Sequence, residues 1–259
     1  MTSLQEQIPE IKVLGSKVNL VHLDQVLEVM EQWIQGNGPN KYIVASGMHG
    51  IMEAHRDPQF KEVVNTADLF VADGISLVWA ARLRGHALKK RVPGPTLMSR
   101  FLELASRKGY KVFFYGDTQE TLDLLTAKLE QKYEQLNIVG AYSPPFRQLT
   151  DEEDQEIVSM INESKADVVW IGLGLPKQER WMHEHRASLT VPISVGVGAA
   201  FKFESGAVTR APGWIGELGF EWAWRLAQEP GRIWRRVFID GPRFAGHIFL
   251  ELSRLRKYK

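Results

Sequence analysis

The stretch Asp167-Val168-Val169-Trp170-Ile171-Gly172-Leu173-Gly174-Leu175-Pro176-Lys177-Gln178-Glu179 decides the fold. Its apolar half is too short for a helix of its own and ends in turn residues, so it reads as a strand buried on both faces. The glycines open the backbone, and Pro176 suits the first turn of a helix that carries Lys177. The segment is therefore one strand–turn–helix unit.

The same unit recurs outward along the chain. Tyr42-Ile43-Val44-Ala45, Leu69-Phe70-Val71-Ala72, Lys111-Val112-Phe113-Phe114-Tyr115, Ile138-Val139-Gly140-Ala141 and Pro192-Ile193-Ser194-Val195-Gly196 are further strands. Between strands lie helical patterns. Leu23–Gln35 sets Val26, Leu27, Met30 and Trp33 on one face, and Thr118–Tyr133 does so with Leu122, Leu125, Leu129 and Tyr133. Strands alternating with helices predict an α/β fold, a Rossmann-like, mostly parallel sheet flanked by helices. Such sheets bind ligands beyond the carboxyl ends of their strands. That rule selects Ser46–His49, Asp73-Gly74, Gly116-Asp117, Gly172–Gln178 and Gly196–Ala200. Phe201–Pro212 shows no clear period, and from about Gly213 the pattern turns helical. Residues 1–206 are thus expected to form the α/β core, and 207–259 a helical appendage rich in Arg and Trp.

Composition narrows the function. A length of 259 residues fits one large domain or two small ones. With 44% hydrophobic and 24% charged residues the chain reads as globular rather than disordered. No cysteine is present, which excludes disulfides, thiolate metal sites and a cysteine nucleophile. No apolar run is long enough to span a membrane, and Met1–Ile11 is too polar for a signal peptide, so a soluble cytoplasmic protein is expected. The net charge of +1 makes no case for nucleic acid. It averages over an asymmetry, however. Arg225–Lys259 holds nine basic residues against three acids, and Trp214, Trp222, Trp224 and Trp234 crowd into 21 residues. Arg225, Arg232 and Arg235 would share one face of a continuous helix, although Pro230-Gly231 is expected to break or kink it. Such a stripe suits phosphate recognition, and with the tryptophans it suits an anionic membrane surface. Ile248, Phe249, Leu252 and Leu255 form an apolar stripe on the last helix.

Individual positions carry alternatives. Asp73 follows an apolar strand and could act as a general base or cap the next helix. Gly172, Gly174 and the following helix start offer amides to a phosphate, as does the turn around Gly198, but either glycine pair can equally be a plain turn. The three-glycine dinucleotide fingerprint is missing, and so is a P-loop. Arg91, in Lys89-Lys90-Arg91-Val92-Pro93-Gly94, faces a ligand anion or belongs to a solvated loop. His183 and His185 do not share a helical face, no metal-ligand spacing occurs, and His49 stands at a strand end.

Taken in order, these segments resemble the WecG/TagA/CpsF family of bacterial glycosyltransferases, which includes the teichoic-acid N-acetylmannosaminyltransferases. The likeness is carried by Glu53-Ala54-His55-Arg56-Asp57-Pro58, Ala67-Asp68-Leu69-Phe70-Val71-Ala72-Asp73-Gly74, Arg91-Val92-Pro93-Gly94, Gly172–Glu179, Gly196–Phe201, Ala211-Pro212, Gly219–Trp222 and Gln228–Arg232. It spans roughly Val18 to Phe244.

The resemblance implies inverting transfer of a sugar from a UDP-sugar to a polyprenyl-diphosphate-linked acceptor, with no cofactor and no obligatory metal. Asp73 then matches the catalytic base. Arg91 and Gln178 match ligand-binding positions, and Arg225, Arg232 and Arg235 match appendage arginines that meet diphosphate charge at the membrane. Localisation would be cytoplasmic, peripheral on the inner face of the bacterial plasma membrane, and a homo-oligomer is a further partner class. One segment departs from the family. Where a Thr-x-Asn pair is usual, this chain has Ala45-Ser46-Gly47, so either Ser46 or His49 contacts the sugar instead or the donor sugar is not N-acetylmannosamine. Two other readings stand beside this one, an NAD(P)-dependent oxidoreductase and a non-catalytic binding module built on a degenerate transferase.

Overall fold

The computed structural model describes residues 4–36, 38–212, 215, 221–228 and 230–258, with only the backbone of 221, 225 and 232. Eight strands form one sheet: β1 (Glu10–Val13), β2 (Ser16–Asn19), β3 (Lys41–Ser46), β4 (Leu69–Ala72), β5 (Lys111–Gly116), β6 (Asn137–Tyr142), β7 (Val168–Gly172) and β8 (Ile193–Gly196). Their order is β1-β2-β4-β3-β8-β7-β5-β6. Only the β1–β2 pair is antiparallel.

The helices are α1 (Leu23–Gln35), α2 (Met48–Arg56), α3 (Pro58–Asn65), α4 (Ile75–Leu83), α5 (Gly94–Lys108), α6 (Gln119–Lys132), α7 (Asp151–Glu163), α8 (Lys177–Glu184) and α9 (Ala200–Glu204). Beyond them come α10 (Glu221–Gln228), α11 (Pro230–Arg235), a π-helical turn (Arg236–Asp240) and α12 (Gly241–Leu252). The strands and helices expected from the sequence are present within one or two residues. Pro230 and Gly231, where a break was expected, are the first two residues of α11, and Glu229 before them lies outside the described residues.

Successive strand residues feed opposite faces, because the side-chain period of a strand is two. In β7, Val169 and Ile171 join the layer of α2, α3, α4, α7, α8 and α12. Val168 and Trp170 join the layer of α1, α5 and α6. A strand packed on both sides has no polar face to show, which is why its sequence is apolar without alternation.

The β1–β2 hairpin lies outside the sequence expectation. Ile11, Val13 and Val18 are buried, and the turn residues Leu14 and Gly15 both have positive φ (51° and 82°). That is primed-turn geometry, but Leu-Gly is not one of its usual signatures. The last helix also differs from its expected stripe. Phe244 and Ile248, four residues apart, point into the core, whereas Phe249, Leu252 and Leu255 are exposed and Leu255 lies past the helix end.

Candidate active site

The carboxyl ends of β3, β4, β5, β7 and β8 open into one cleft of about 650 Å³. Its position follows from topology: the chain leaves β3 toward one edge of the sheet and later fills the other, so the loops at the centre diverge. Ser46, His49, Asp73, Gly172, Gly174, Lys177, Gln178 and Gly198 all line it. Eight residues separated by as much as 152 positions are thereby brought together.

Asp73 is the first residue after β4. Its amide donates to the Ser46 carbonyl (3.0 Å), which holds it beside the end of β3. Its carboxylate accepts from the amide of Gly94 (3.1 Å), the first residue of α5. The capping role considered for Asp73 is thus directed to α5, whereas α4 starts on Gly74 without a side-chain cap. A helix N-terminus favours the ionised carboxylate. Arg91 donates through Nη1 to the Asp73 carbonyl (3.3 Å). It braces the turn that carries the carboxylate, and Val92 pairs with Ala72 (2.8 Å) to close the loop over β4.

The two glycine turns are bound by one side chain. Gly174 and Gly198 have positive φ (78° and 52°), which glycine adopts without strain. Gln178 is buried, and its Oε1 accepts from both amides, at 3.1 Å from Gly174 and 3.0 Å from Gly198. The amides expected to meet a phosphate are therefore already satisfied within the protein, and Gln178 acts on the cleft by pinning its two rims. With its oxygen so occupied, the Gln178 amide nitrogen donates to Glu179 Oε1 (2.8 Å). α8 itself begins at Lys177, with Pro176 in the capping position after a cis Leu175–Pro176 bond.

Glu179 carries no signal of its own in the sequence. It is 0% exposed, and its Oε2 has no hydrogen-bond partner among the described residues. Burial pushes its carboxyl up to about 7, with the Gln178 hydrogen bond opposing.

Ser46 is buried with its hydroxyl over Gly50, which leaves little of it to the cleft. His49 is part-exposed, but its Nδ1 is buried and lies 3.7 Å from Asp240 Oδ2, beyond hydrogen-bond reach. Burial first, then the Arg236 charge, lower the His49 ring to about 4 against the opposing pull of Asp240. The imidazole is neutral at physiological pH.

Arg236 lines the cleft from the π-helical turn, and Asp240 of that turn pairs with Arg56 of α2. One face of the appendage is thereby docked on the core. Arg235 is exposed, its guanidinium 5.9 Å from the Trp234 ring centre. The side chains of Arg225 and Arg232 lie outside the described residues. The charge count of the tail includes Arg236 without distinguishing it, since nothing in a run of arginines says which one turns inward. Lys202, 4.0 Å from Asp117, and Arg180, paired with Asp57 at 2.5 Å, add cations to the cleft wall. Phe146 stands exposed on the Ser143–Phe146 loop at its lip.

An open, mostly parallel sheet with a cation-bordered cleft and a carboxylate at a central strand end defines an α/β protein with a ligand cleft beyond its strand ends. The chain belongs to the glycosyl transferase WecG/TagA/CpsF family, whose model matches residues 11–258. It is 31% identical over 196 residues to an N-acetylglucosaminyldiphosphoundecaprenol N-acetyl-beta-D-mannosaminyltransferase of Bacillus spizizenii, covering 76% of this chain and 74% of that one. To the protein of that name from Bacillus subtilis it is 31% identical over 199 residues, 76% and 75% of the two chains. The Staphylococcus aureus counterpart is 29% identical over 251 residues, 96% of each. The family is one of transferases, not of oxidoreductases.

Proposed function

We propose that the protein is an inverting hexosyltransferase that moves a sugar from a UDP-sugar to N-acetylglucosamine on a polyprenyl diphosphate, working peripherally at the inner face of the bacterial plasma membrane. Asp73 is the general base. The acceptor hydroxyl oxygen attacks the anomeric carbon while the bond to the UDP oxygen breaks, and the hydroxyl proton passes to the Asp73 carboxylate. Negative charge grows on the departing diphosphate as that bond lengthens. Cations fixed beforehand at that point stabilise the transition state more than the ground state. Lys177 and Arg236 on the cleft wall supply such charge, and Arg225, Arg232 and Arg235 of the appendage would add to it. His49, neutral and with a buried ring nitrogen, contacts the sugar where Ala45 and Gly47 carry no polar side chain. No metal takes part.

The observation that carries this reading is the Asp73 carboxylate at the cleft wall, held by the first amide of α5 at 3.1 Å. The relatives' names support the acceptor class. Among the described residues no helix is long and apolar enough to cross a membrane, so access to a lipid-linked acceptor would be made from the surface. The test is a panel of UDP-sugars with polyprenyl-diphosphate N-acetylglucosamine in the presence of EDTA, read by product mass. One donor is expected to add one sugar residue. Donor binding with no product from any member would favour the binding-module reading instead.

A further inference from the structure

Residues 74–102, which follow the base directly, contain no Asp or Glu in 29 positions but six cations: Arg82, Arg84, Lys89, Lys90, Arg91 and Arg100. This core segment matches the excess of six carried by the tail. Within it, α4 is apolar on its inner side and largely so on its outer side, where exposed Arg82 stands between Trp79 and Leu83. Leu77, Val78, Ala80 and Ala81 are buried against the core, while Trp79 and Leu83, one turn apart on the outer side, are 53% and 66% exposed. An amphipathic surface helix would place polar residues there. A tryptophan and a leucine outside, followed by exposed Lys89 and Lys90, have the composition of an element seated at an anionic membrane interface.

The placement ties this face to the site and to the tail. At a rise of about 1.5 Å per residue, Trp79 and Leu83 lie about 6 and 12 Å along the axis from Ile75, two residues after Asp73. At the far end of α4, Arg84 pairs with Glu251 of α12. There Phe249 and Leu255 are 67% and 73% exposed, and Arg254, Arg256 and Lys257 are exposed beside them.

We infer that the outer face of α4, with Lys89 and Lys90, is a membrane-docking surface on the catalytic core that seats on anionic lipid headgroups beside the site. The occupant is a bilayer surface because apolar side chains ringed by cations, with no carboxylate in the segment, complement anionic lipid in both charge and apolarity. The inference rests on the lipid-linked acceptor proposed above, and it makes the core itself, as well as the appendage, face the membrane.

The experiment is co-sedimentation of the full chain with phosphatidylcholine vesicles with and without phosphatidylglycerol. Two double variants are compared, Trp79→Ser with Leu83→Ser, and Lys89→Gln with Lys90→Gln. Removing two surface cations is expected to weaken binding to anionic vesicles roughly thirtyfold, and removing the apolar pair roughly tenfold. Transfer to a short-chain, water-soluble prenyl-diphosphate acceptor should stay at the wild-type rate in both. The lysine pair sits on an exposed loop, so it tests the surface even if the α4 variant fails to fold. Wild-type vesicle binding in the lysine variant and in a folded α4 variant overturns the inference, as does a wild-type chain that ignores anionic vesicles. So does unchanged binding with loss of an oligomer, which would make the face a contact between copies. Failure of the wild type to transfer to the soluble acceptor would count against the proposed function and leave the vesicle result intact.

Discussion

Glu179→Gln is expected to stabilise the protein in a pH-dependent way. In the native state Glu179 is fully buried and ionises near 7, against an ordinary value of 4.5. Below about pH 4.5 the carboxyl is neutral in both folded and unfolded chains, and the two proteins differ only by the substitution itself. Between 4.5 and 7 the unfolded chain releases the proton and the folded chain keeps it. The folded state then binds more protons, so wild-type stability falls as pH rises through this window and levels off above it. A gap of this size corresponds to about 3 kcal/mol. The substituted side-chain amide would have nothing to ionise. Its oxygen would still accept from Gln178, and its nitrogen would take the place of the unpartnered Oε2. Urea unfolding of both proteins from pH 4.5 to 8.5 measures the difference. The variant's advantage should grow by about 3 kcal/mol across the series. An advantage that stays constant with pH would refute the burial argument, because the orphaned oxygen would then be hydrated or paired.

Two further outcomes follow from the cleft wall. The His49 imidazole should titrate near pH 4 by NMR, so this residue withdraws stability as pH falls below its unfolded value of about 6.5. A titration near 6.5 would show the ring to be hydrated and unaffected by Arg236. Asp240→Asn removes the carboxylate that holds Arg56 and should loosen the appendage, raising protease cleavage of the 207–259 segment roughly tenfold through a lost charged hydrogen bond. Unchanged cleavage would mean that Phe244, Ile248 and the Arg84–Glu251 pair hold the appendage without help from Asp240.

The sheet was legible in the sequence because strands buried on both faces must be apolar throughout, as β3, β4, β5, β7 and β8 nearly are, while the half-buried edge strand β6 showed itself by Ile138-Val139-Gly140-Ala141. The hairpin of β1 and β2 did not, since Leu14-Gly15 carries little of the usual turn chemistry. The cleft was legible as well: once the strands are in place, the loops after them fix which residues meet. Roles within it were harder to read. A glycine pair signals an open backbone, but only coordinates show that Gln178 already occupies the Gly174 and Gly198 amides. Glu179 closes the Gly172–Glu179 block that carries the family likeness, but its burial is a tertiary fact. Among the tail arginines, Arg236 is turned inward by a π-helical turn that no local pattern encodes.

The central claim is that the Asp73 carboxylate takes the acceptor proton, and Asp73→Asn tests it most directly. Asparagine keeps an oxygen for the Gly94 amide, so the turn and α5 should stay in place. In single-turnover transfer with saturating donor and acceptor, the variant is predicted to lose about 10²- to 10⁴-fold in rate, with donor affinity nearly unchanged. A rate near that of the wild type would contradict the account.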